Sequence, residues 1–76
     1  MPTVLRRDGF EFVIYFDDHN PPHVHVFRVG GEAKVELDPV IVVGVWRMNR
    51  KDARDAKRLT IEHQVYLLDR WREING

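Results

Sequence analysis

The chain has 76 residues, 43% hydrophobic and 32% charged, with twelve basic residues set against twelve acidic ones. Such a composition fits one small folded domain over residues 1–76, excludes a second, and argues against wholesale disorder or nucleic-acid binding through overall charge. The absence of cysteine removes disulfides, thiolate metal ligands and thiol catalysis.

No run of about 18 apolar residues could span a bilayer, and the start from Met1 to Arg7 lacks a signal peptide's apolar core. A cytoplasmic protein without membrane contact is the expectation. Thr3 to Arg7 reads as a first strand, and Asp8-Gly9 as a two-residue hairpin turn, because both positions tolerate positive φ. Phe10 to Phe16 follows as a second strand, with Phe10, Phe12, Ile14 and Phe16 on a core face and Glu11, Val13 and Tyr15 opposite.

Between Asp17 and Val26 three of the four histidines fall within seven residues, around Pro21-Pro22. Proline fixes φ and biases the preceding residue toward extended geometry, so Asn20-Pro21-Pro22 should brace a corner. The third strand, His23 to Val29, then turns Val24 and Val26 to the core and His23, His25 and Phe27 outward. Gly30-Gly31 predicts another turn. Glu32 to Asp38 alternates as a fourth strand, with Ala33, Val35 and Leu37 inward and Lys34 and Glu36 outward.

Asp38-Pro39 interrupts that strand. Val40 to Trp46 does not alternate and reads as a partial fifth strand or an apolar connector. Asn49 suits an N-cap, with Asp52 near the positive helix end, and no glycine or proline occurs from Asn49 to Ile74. A single long helix is therefore expected. Its apolar stripe is Ala53, Ala56, Thr60, Leu67, Leu68, Trp71 and Ile74, flanked by Ile61 and Val65. His63 falls on its buried side, and Trp46 and Trp71 read as core or core-edge anchors. The predicted fold class is α+β: an antiparallel sheet of four, or five, strands with one long C-terminal helix packed on one face.

Arg47, Arg50, Lys51, Arg54, Lys57 and Arg58 outnumber Asp52 and Asp55 locally. They form either a phosphate-binding patch suited to RNA or a solvated helix face laced with charge pairs.

Three blocks carry a family resemblance: Met1-Pro2-Thr3-Val4, Asp18-His19-Asn20-Pro21-Pro22-His23-Val24-His25-Val26, and Ala33-Lys34 with Leu37-Asp38-Pro39-Val40. With His19, Pro21, Pro22, His23, His25, Lys34, Asp38 and Pro39 as signature positions, the chain resembles a widespread family of short bacterial proteins filed as a domain of unknown function. Some members are labelled the toxin of a type II toxin and antitoxin pair. The resemblance implies a component of a two-protein module whose partner is a small protein encoded by a neighbouring gene. Val40 to Trp46 is more apolar than the family pattern.

The histidine block, expected on the open face of the sheet, supports three chemistries. His19, His23 and His25 could act as acid and base on RNA, a metal-independent ribonuclease-like activity without cofactor, with Lys34 and either Arg28 or the Arg47 to Arg58 patch neutralising phosphate. Alternatively His19, His23 and His25, joined by Asp17 or Asp18, could hold zinc, copper or nickel. Thirdly, the outer face or a free edge strand could bind a protein, either the module partner or a second copy in a homodimer.

Overall fold

The computed structural model describes residues 2–76, leaving Met1 outside the described residues. Five strands, β1 (Thr3–Arg7), β2 (Phe10–Val13), β3 (His23–Arg28), β4 (Gly31–Leu37) and β5 (Val40–Trp46), pair antiparallel in sequence order as a meander. Two helices follow, α1 (Arg50–Glu62) and α2 (Gln64–Asn75).

Turn chemistry sets the hairpins. Asp8 and Gly9 both take positive φ, 53° and 81°, as a two-residue turn requires. The β3–β4 turn falls one residue earlier than Gly30-Gly31 suggests, on Val29 (φ 48°) and Gly30 (φ 77°), and Gly31 already belongs to β4. A β-branched residue in the left-handed region is strained, and the fully extended pairing of Arg28 with Gly31 holds it there.

Cross-strand register builds one apolar face. Phe12 opposes Val26, Val26 opposes Ala33, and Val24 opposes Val35. These residues join Phe10, Ile14 and Leu37 in a layer that packs against Ala56 and Leu59 of α1 and Leu67 and Trp71 of α2. Each large apolar side chain sealed there stabilises the fold by about 1.5–3 kcal/mol. Asn49 caps α1, its side chain accepting from Asp52 N–H at 2.7 Å.

The expected single helix is instead two. The break falls at His63, which has φ −112° and ψ 20°, lies half-buried, and is therefore not a core residue within a continuous helix. Gln64 Nε2 donates to the Leu37 carbonyl at 2.7 Å just past the break. α1 packs on β4 and β5. α2 brings Trp71 to the start of β3, its ring centroid 5.1 Å from that of His23. Ile61 and Val65 flank the break and stay exposed.

Two other expectations fail. Phe16 is 74% exposed, because β2 ends at Val13 and Asp17 turns the chain at φ 61°. Trp46 is 53% exposed at the end of β5, six of whose seven residues pair with β4 while Val43 bulges out of the ladder. Among the described residues no helix is long and apolar enough to cross a membrane.

Candidate functional site

The site lies where β2 ends and β3 begins. His23 and His25 point away from Val24 and Val26, as the alternation predicts, but that face is not open at this end. The segment from Tyr15 to Pro22 folds back over it and leaves Val13, the cross-strand neighbour of His25, 1% exposed. His23 is itself only 3% exposed, and its ring centroid lies 5.1 Å from that of Trp71.

Each imidazole is oriented by a bond to its Nδ1. His23 Nδ1 lies 2.8 Å from the Pro21 carbonyl oxygen, and His25 Nδ1 lies 2.9 Å from Glu32 Oε2. A carbonyl and a carboxylate can only accept, so both rings carry their proton on Nδ1. In the neutral rings both Nε2 lone pairs are then free, and both turn to the same atom. Asp18 Oδ2 stands 2.8 Å from His23 Nε2 and 3.8 Å from His25 Nε2. His23 Nε2 is buried without a hydrogen-bond partner despite the short approach. Such an orphan in a native interior is uncommon.

The loop that supplies Asp18 is tied to the last turn of α2. Asn75 Oδ1 accepts from Asp18 N–H at 3.0 Å, and Asn75 Nδ2 donates to the Tyr15 carbonyl at 3.2 Å. The Asn20–Pro21 peptide bond within the loop is cis. Tyr15 sets its ring edge-on to His25 at 4.7 Å. Burial, then the nearby Glu32 and Asp18 carboxylates, push the Tyr15 hydroxyl above its ordinary range. The site is thus electronegative. Beside it, Asp18, Asn20, Pro22, Trp71, Arg72 and Asn75 line a polar pocket of about 250 Å³.

The predicted residues divide. Asp18, His23 and His25 converge, their donor atoms all within 4.8 Å of one another. His19 does not join them: it is exposed, and only its backbone N–H reaches Asp18, at Oδ1. Lys34 is the direct cross-strand partner of His25. Arg47, Arg50, Lys51, Arg54 and Arg58 lie toward the far end, where Arg28 ties α1 to the first hairpin through Asp52 and the Asp8 carbonyl. From His23 to Arg28 the strand covers five steps of about 3.3 Å each. Part of the cluster is internally paired, Lys51 with Asp55 and Arg58 with Glu62. Those bonds hold the Asp55 carboxyl below its usual range and raise Arg58.

Sequence reasoning missed Glu32, Asn75 and the contact of Trp71 with His23. Glu32 reaches His25 from two positions along the neighbouring strand, a signal available only once the β3–β4 register is known.

Residues 9–72 match the family described as Domain of unknown function (DUF4160), so the chain belongs to that family. No curated protein and no solved structure gives a significant match.

Proposed function

We propose that this member of the DUF4160 family binds a divalent transition metal, zinc foremost, through Asp18 Oδ2, His23 Nε2 and His25 Nε2. The observation that carries the reading is the shared orientation of the two imidazoles. Each is held at Nδ1 by an oxygen acceptor, the outer-shell arrangement that fixes metal-ligating histidines, and each presents Nε2 to one carboxylate. Ligand bonds of about 2.0–2.1 Å at a tetrahedral ion set donors about 3.3 Å apart. The observed 2.8 and 3.8 Å bracket that spacing. Two histidines and a carboxylate suit zinc, copper or iron rather than magnesium or calcium. Three protein ligands also leave a coordination position for water or for a ligand.

Acid–base cleavage of RNA draws less support from the same geometry. His23 is sealed from solvent, and the basic cluster stands at the other end of the sheet. A toxin-like role in a two-protein module, suggested by the family resemblance, would rest on the same centre. Its test is growth after inducing this chain alone, with its genomic neighbour, and as Asp18→Ala.

Thermal unfolding of tag-free protein tests the metal reading. A ligand at about one hundred times its Kd adds about 2.7 kcal/mol. For a chain of this size that is a rise in Tm of about 10 °C or more. Zinc should produce it, and a chelator should reverse it. An unchanged Tm under both treatments would remove the reading.

A further inference from the structure

We propose that β5 is a homodimerisation edge: two copies pair their β5 strands antiparallel about a twofold axis at the Val42–Val43 bulge, joining their sheets into one. The two sheet edges are built differently. On β1, Arg6 and Arg7 are exposed, the register shifts between Thr3 and Leu5, and the Tyr66 hydroxyl donates to the Val4 carbonyl at 2.7 Å. Charge and a covering side chain both discourage a further strand. From Val40 to Trp46, by contrast, β5 contains no charge and no proline. Ile41, Val43, Val45 and Trp46 are each more than two-fifths exposed there. Trp46 even folds its indole along the strand, where a Cβ on Gly44 would collide with the ring. Apolar surface on both faces of an uncharged edge fits a further β-strand.

The register identifies that strand as a second β5. Val40 and Val45 face inward, opposite Leu37 and Ala33, while Ile41 and Gly44 face outward, opposite Glu36 and Lys34. The bulge between Val42 and Gly44 shifts the alternation by one residue. A twofold axis at the bulge therefore sets Val40 against Val45 of the other copy and Ile41 against Gly44, inner side to inner side and outer to outer. A regular strand pairing about the same axis would oppose inward residues to outward ones. An interface of this kind buries on the order of 1,000 Å², the lower end for a specific dimer.

Sedimentation equilibrium on tag-free protein tests the proposal. At about 100 µM, well above the Kd of even a modest interface, the chain should be dimeric. Val43→Lys, an exposed position whose change leaves the core untouched, should weaken the dimer at least tenfold on the same scale. A monomer at that concentration, or a dimer indifferent to Val43→Lys, overturns the proposal. So does a chain that stays monomeric and uses β5 only to bind a different protein.

Discussion

Trp71 on the last helix and His23 at the start of β3 stand 5.1 Å apart between ring centroids, so one indole closes both the apolar core and the wall of the candidate metal centre. Core and site therefore report on each other. Of the two tryptophans, Trp46 is exposed and Trp71 is 4% exposed.

A Trp46→Phe variant leaves Trp71 as the only indole, and copper should then quench its emission with saturation at one ion per chain. Emission that declines only with free copper, without a break at equivalence, would place the ion elsewhere.

Asn75 gives two hydrogen bonds to the loop that carries Asp18. Asn75→Ala leaves the Asp18 N–H and the Tyr15 carbonyl without these partners at a part-buried position, a cost of about 1–3 kcal/mol. The expected outcome is a lower Tm together with weaker zinc binding, since the loop loses its anchor. A variant with reduced stability but unchanged affinity would show that the loop holds Asp18 without α2.

Glu32 touches the centre only through His25 Nδ1. Glu32→Ala should weaken zinc binding about 10- to 100-fold by releasing the ring's orientation. The metal-free Tm should move little, because Glu32 is partly exposed and the charge pair is worth about 0–1 kcal/mol. Equal affinity in the variant and the parent chain would assign Glu32 no positioning role.

Leu67 is fully buried where α2 meets the sheet. Leu67→Ala should destabilise by about 2–5 kcal/mol, measured by urea unfolding. A loss below 1 kcal/mol, on the same scale, would mean that α2 is only loosely docked.

Much of this arrangement was legible in the chain because local chemistry dictates it. Asp8-Gly9 takes the backbone angles its turn needs, Asn49 caps the first helix, and the alternation around His23 and His25 puts both on one side of β3. What escaped depends on distant partners. His63 carries no helix-breaking signature; the break follows from where α1 and α2 must pack. Phe16 continues the apolar alternation of β2, yet the chain turns away at Asp17 before it can reach the core. Leu59 is buried in α1 although the broad stripe read along one continuous helix passed over it. Asp18 was legible as a candidate ligand, whereas the covering of the outer face by its own loop arises only once Asn75 and Trp71 are brought to it.

Isothermal titration of zinc into tag-free protein tests the centre most directly. One ion should bind per chain, and binding should vanish in both Asp18→Ala and His25→Ala while circular dichroism shows each variant folded. Folded variants that take up zinc as the parent chain does, or a parent chain that takes up none, would contradict the account.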